Sequence, residues 1–155
     1  MGGEVAPSPA FDGNLVFATT EYVVLAAIDP SAGGKVKWQT EDDLPDVSSP
    51  VAADGFLYVT NTAGMLTCYE SSTGKKLWSK EFDTGFYSSP VIIGDTLYIT
   101  DMDGSTFVLA TGGEYKEKGR GSVGEAVVTG YAWLLGMLTT RFLISYTLWD
   151  VLRPK

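Results

Sequence analysis

"CYESSTGKKLW", residues 68–78, and "AIDPSAGGKVKW", residues 27–38, decide how this chain is read. Each runs from a small residue (Cys68, Ala27) through an acid (Glu70, Asp29) to a glycine, a lysine and a tryptophan, and Trp38 and Trp78 stand 40 residues apart. A catalytic motif is written once. A segment written twice at that distance marks a structural repeat. Pro9, Pro50 and Pro90 extend the pattern, each preceded by serine, in "SPAFDG", "SPVAADG" and "SPVIIGD", at spacings of 41 and 40. The runs "NLVFATT", "FLYVTNT" and "TLYITDM" follow them, and then "YVVLAAID", "MLTCYES" and "STFVLAT".

Every unit therefore holds four short runs rich in Val, Tyr, Thr and Phe, separated by Gly/Asp/Asn turns. Breaks every 8–12 residues disfavour helices, and four strands in about forty residues is the signature of a β-propeller blade. The expected fold is all-β, with propeller-type blades of four antiparallel strands. Residues 5–48, 49–88 and 89–128 make three complete blades, and 129–155 a divergent partial fourth blade or C-terminal cap. In the second unit the strands are expected near Pro50–Ala53, Phe56–Asn61, Met65–Glu70 and Lys76–Phe82.

"CYESSTGKKLW" closely resembles the tryptophan-docking repeat of the pyrroloquinoline-quinone-like (PQQ-like, quinoprotein-type) β-propellers. Glu70, Thr73, Gly74 and Trp78 stand at the motif's positions in the second unit, and Asp29, Gly34 and Trp38 in the first, where Gly33 replaces the usual Thr. The third unit, "LATGGEYKEKG", keeps Thr111-Gly112 and has no tryptophan. The resemblance covers roughly residues 5–128. Read physically, these are structural docking residues. The glycine allows a positive φ in a tight turn, and the indole offers a large apolar face with one N–H donor.

Composition limits the functions. Eleven basic against nineteen acidic residues give a formal charge of −8 with the basic residues scattered, so no nucleic-acid partner is expected. The chain has no histidine and a single cysteine, Cys68, which removes the commonest general base, the commonest zinc ligand and any CxxC site. "MGGEVAPSPAF" has neither a basic start nor an apolar core, so no signal peptide is read there. Tyr131 to Trp149 has the length of a membrane helix, but Arg141 near its middle would cost about 2.5–3.5 kcal/mol. Strands at Val127–Leu135, Leu138–Ile144 and Tyr146–Val151 are expected there instead of a membrane span. Three blades and part of a fourth do not make the six to eight usual in the family. A fragment or self-association through open blade edges follows as an expectation.

The resemblance implies two classes of function. One is a non-catalytic binding or assembly scaffold, extracytoplasmic like such members of the family. The other is a fragment of a quinone (PQQ)-dependent alcohol or sugar dehydrogenase, which would bind the quinone above a Ca²⁺ ion. The chain has no adjacent cysteine pair and no segment matching the dehydrogenases' ligand or base motifs. The scaffold reading is therefore preferred, with no catalytic residue, cofactor or metal assigned. "DMDGS" (101–105) reads as a hairpin turn in preference to a Ca²⁺ loop, and the Ser-Ser-Pro repeats lack an activating base. The tentative binding face is the loops that lead from each blade to the next, "EDDLPDVS" (41–48) and "DTGFYS" (83–88). There Asp42, Asp43 and Asp46 with exposed Phe86 and Tyr87 would suit a protein or glycan partner; the alternative reading is that Phe86 and Tyr87 plug the space between inner strands.

Overall fold

The period-2 runs pair into three sheets, each built from four consecutive strands. In the computed structural model, which describes residues 7–20, 23–122 and 124–127, the first sheet contains β1 (Ala10–Phe11), β2 (Val16–Thr20), β3 (Val24–Asp29) and β4 (Lys35–Thr40). The second contains β5 (Val51–Ala53), β6 (Phe56–Thr60), β7 (Met65–Glu70) and β8 (Lys76–Glu81). The third contains β9 (Val91–Ile93), β10 (Thr96–Thr100), β11 (Ser105–Ala110) and β12 (Glu117–Ser122). Each is an antiparallel meander in chain order, and the first strands, β1, β5 and β9, contact one another in succession. These are propeller blades set side by side along their inner strands. No helix occurs among the described residues, so none there is long and apolar enough to cross a membrane. The reading of 129–155 lies outside the described residues.

Alternation along the strands sorts side chains to the two neighbours of blade 2. Leu57, Val59 and Tyr69 join Phe17, Leu25 and Ala27 of blade 1 in one buried cluster. Tyr58, Leu66 and Cys68 join Leu97, Ile99, Phe107 and Leu109 of blade 3 in another. Both faces of blade 2 are thus dry, and β6 and β7 are buried along nearly their whole length. In blade 1, β2 alternates buried with half-buried residues, because among the described residues only one of its faces meets another blade. Each fully buried Leu or Phe contributes roughly 1.5–3 kcal/mol, so the junctions between blades are the core.

A β-bulge recurs at one place in every blade, after Ala27, Cys68 and Val108. It follows the pairs Ala27–Trp38, Cys68–Trp78 and Val108–Gly119. Gly119 therefore occupies the tryptophan position of blade 3. The expected exposure of Phe86 is corrected here: it is fully buried between blades 2 and 3, edge-on to Phe82 at 5.3 Å, because this apolar side chain fills the junction. Asp46 is likewise buried and not part of an open acidic rim.

Candidate functional site

The docking residues form a repeated device between blades. The Trp38 indole N–H donates to the Ser71 carbonyl of blade 2 at 2.8 Å, and its ring lies over Gly74. The Trp78 indole N–H donates to the Gly112 carbonyl of blade 3 at 3.1 Å, and Gly112 N–H in turn donates to the Tyr58 hydroxyl oxygen at 2.7 Å. Phe17 and Tyr69 flank Trp38 with centroids at 5.9 and 6.3 Å, and Tyr115 meets Trp78 edge-on at 5.6 Å. The acids hold the receiving turns. Glu70 accepts from the Thr73 hydroxyl, and its carbonyl accepts the Gly74 N–H at 2.9 Å. Asp29 accepts from Ser31 N–H and hydroxyl at 2.9 and 2.7 Å, and these bonds, the hydroxyl's foremost, hold its carboxyl below the usual aspartate range.

A second device near the inner strands is one that sequence reading missed. Ser8 N–H donates to Ser49 Oγ at 2.8 Å, and Ser49 N–H donates to Ser89 Oγ at 2.9 Å, linking three successive blades. The preceding serines act within their own blades: Ser48 and Ser88 donate to the Thr60 and Thr100 carbonyls, both at 2.6 Å. The 40-residue recurrence of Ser-Ser-Pro was the available signal; what hid its meaning is that the ladder forms only across blades.

The loops between blades do less in the open than expected. Asp43 accepts from the Thr67 hydroxyl at 3.0 Å and pairs with Lys76 at 2.8 Å, and the Asp42 carbonyl accepts from the Tyr69 hydroxyl at 2.9 Å. Asp46 accepts from Val47 N–H at 2.9 Å, from Thr62 N–H at 3.1 Å and from the Thr62 hydroxyl. Of the five residues proposed for the face, only the Asp42 side chain is exposed, and Tyr87 is half-buried. Asp43 and Asp46 pin the first loop to blade 2 instead.

Beside the second loop lies a polar cleft of about 310 Å³ at the junction of blades 2 and 3, lined by Asp83, Asp101, Asp103, Phe107 and Arg120 among others. Thr84 donates its hydroxyl to Asp103 at 2.8 Å, and the Arg120 guanidinium sits 4.5 Å from the Phe107 ring centroid. Asp101 caps the turn 101–105, accepting from Asp103 N–H at 3.1 Å and Ser105 N–H at 2.8 Å, so this segment is a hairpin turn. Burial pushes the Asp101 carboxyl up. Among the described residues no three His, Cys, Asp or Glu side chains are grouped to hold a metal ion, and no donor set there fits a Ca²⁺–quinone centre.

Comparison with known proteins agrees with this geometry. The family model described as "Outer membrane protein assembly factor BamB" matches residues 25–114. The crystal structure of BamB from Moraxella catarrhalis is similar at 20% identity and a TM-score of 0.69, over 81% of this chain and 37% of that one. A europium-containing methanol dehydrogenase is similar at 14% identity and a TM-score of 0.61, over 77% of this chain and 26% of that one. Quinohemoprotein alcohol dehydrogenase from Comamonas testosteroni follows at 17% identity and a TM-score of 0.60, over 78% and 21% respectively. At these identities the likeness shows the propeller fold alone, and the chain spans well under half the length of each of these proteins. No curated protein matches the sequence. The match over residues 25–114 establishes that the chain belongs to the family of the outer membrane protein assembly factor BamB, whose repeats are PQQ-like.

Proposed function

We propose that this chain is part of a non-catalytic, extracytoplasmic scaffold that binds a protein partner on the face carrying the loops between blades. One observation carries the reading: the polar groups of the repeat motifs are engaged in joining blades, while Asp83 and Asp103 stand exposed in the lining of the cleft beside Lys80 and Arg120, with Asp103 accepting from the Thr84 hydroxyl. The indole N–H groups, the Ser49 and Ser89 hydroxyls, Asp43 and Asp46 all bond to a neighbouring blade or loop. Asp83 and Asp103 are exposed beside the cleft, and Asp42 is exposed on the preceding loop. With a net charge of −8, such a rim favours a basic segment, drawn in by long-range attraction and held at short range.

The test uses the full chain and a peptide of alternating tyrosine and arginine as probe. Binding should weaken steeply with salt, as screening requires, and fall several-fold in the Asp83→Asn/Asp103→Asn double variant. Salt-independent binding, or an unaffected double variant, overturns the assignment of the rim. The dehydrogenase reading makes the opposite demand: pyrroloquinoline quinone with Ca²⁺ should then raise the melting temperature of the chain by mass action.

A further inference from the structure

The cleft between blades 2 and 3 holds a carboxylate that has no cation of its own among the described residues. Asp101 opens the turn between β10 and β11 and lines the cleft, yet it is only 5% exposed. Its Oδ1 caps the turn, accepting from Asp103 N–H at 3.1 Å and Ser105 N–H at 2.8 Å, and no described residue donates to Oδ2. A neutral amide does the same capping in blade 2, where Asn61 Oδ1 accepts from Met65 N–H at 3.0 Å. The turn therefore requires an acceptor oxygen and not a charge. No described lysine or arginine forms an ion pair with Asp101 or Asp103. Arg120 pairs with Glu117 at 3.3 Å and lies on the Phe107 ring, and Lys80 is exposed. Burial raises the Asp101 carboxyl, and Arg120, which acts in the opposite sense, does not offset it. A buried carboxylate without a partner costs stability, so its charge answers a demand other than folding.

We infer that the cleft is a binding site for a primary ammonium group, the end of a lysine side chain of the partner, received by Asp101 Oδ2 with Asp103 beside it. The inference deepens the scaffold reading and rests on it for the source of the lysine. Glu81, Asp83, Asp101 and Asp103 line the cleft against Lys80 and Arg120, an excess of negative charge that selects a cation. No three of the described His, Cys, Asp or Glu side chains are grouped to hold a metal ion, so the fit is to an organic cation. Phe82 and Phe107, with ring centroids 4.6 Å apart, also line the cleft and offer an apolar wall to the methylenes of a long side chain. The acceptors decide between lysine and arginine. A guanidinium is best held by both oxygens of one carboxylate. Here Asp101 commits Oδ1 to the turn, and Asp103 commits Oδ2 to the Thr84 hydroxyl at 2.8 Å, so each presents a single oxygen. An ammonium is a compact charge with three donors and takes its acceptors one at a time.

The test titrates the full chain with n-butylammonium, n-butylguanidinium and n-butanol at pH 7 and fixed ionic strength. The ammonium should shift the Asp103 and Ser105 amide resonances saturably, because both N–H groups bond the carboxyl that receives it. The guanidinium should bind several-fold more weakly, and butanol should leave both resonances in place. Asp101→Asn keeps the cap; it should weaken ammonium binding several-fold and abolish the preference over guanidinium. Equal affinity of the parent for the two cations overturns the site. So does the lack of a saturable shift, or an Asp101→Asn chain that binds ammonium like the parent. The comparison of the three probes on the parent stands even where the variant fails to fold. The scaffold reading fails separately, through the salt dependence of the peptide. A chain that discriminates the cations but binds the peptide regardless of salt keeps the site and rejects the partner; the reverse result rejects the site alone.

Discussion

The indole of Trp38 and the backbone of Gly74 exclude any side chain between them: a Cβ on Gly74 would lie 2.5 Å from Cδ2 of Trp38. The glycine thus serves two demands at once, a left-handed turn in its own blade and a flat seat for the ring of the previous one. Gly74→Ala should cost about 1–2 kcal/mol through the backbone alone, with a further loss as the ring is displaced. Trp38→Phe should lose about 1 kcal/mol, the worth of one hydrogen bond, and Trp38→Ala about 3–5 kcal/mol. Denaturant unfolding of the three variants checks the order, and equal losses for Phe and Ala would show that the ring itself does not pack.

The serine ladder predicts an asymmetry between blades. Ser48 Oγ lies 2.8 Å from Thr60 Oγ1, whereas Pro7 holds the place of Ser48 in blade 1 and the buried Thr19 hydroxyl has no partner among the described residues. Ser48→Ala should destabilise by about 1–3 kcal/mol, the penalty of orphaning a buried polar group. Pro7→Ser should stabilise by about 1 kcal/mol by giving Thr19 a partner. Thermal melts of both decide it; a destabilised Pro7→Ser chain would mean that the rigid φ of proline matters more than the hydroxyl.

Asp101 occupies the turn-capping position held by Asn61 in blade 2, where Met65 N–H bonds to Asn61 Oδ1 at 3.0 Å. Burial raises the Asp101 carboxyl above its ordinary value of 3.8, so the folded state holds the proton more tightly than the unfolded chain. The stabilisation is then fully present below about pH 3.8 and is lost as the pH rises through the elevated folded value. Asp101→Asn keeps the acceptor and removes the charge. It should raise stability at pH 7 and flatten this part of the pH profile, and a destabilised variant at pH 7 would assign the carboxylate a partner of its own.

Phe86 and Tyr87 are neighbours with different surroundings. Phe86→Ala should cost about 3–5 kcal/mol, as for a core aromatic, and Tyr87→Ala about 1 kcal/mol, the centre of the ordinary range. Tyr87 remains a candidate contact for a partner only if that difference is found by equilibrium unfolding.

Cys68 is buried and its thiol is pushed up to about 12 by desolvation. In the folded chain it should react with thiol reagents at neutral pH far more slowly than in urea, because the thiolate is the reacting form. Equal rates would mean that the junction of blades 2 and 3 opens readily.

The blade was legible from the residues alone. Period-2 runs, turn glycines and the forty-residue echo are local, so strands such as Met65–Glu70 could be read one unit at a time. Tertiary structure decided everything that passes between units. Phe86 aligns with Asp46 at a spacing of 40, yet one fills an apolar junction and the other binds Thr62, a difference written in the neighbouring blade. The Ser49–Ser89 bond, the seat of Trp38 on Gly74 and the cleft beside Asp83 have the same origin. A local pattern specifies which way a side chain points. What it meets there depends on a strand some forty residues away, and only packing brings the two together.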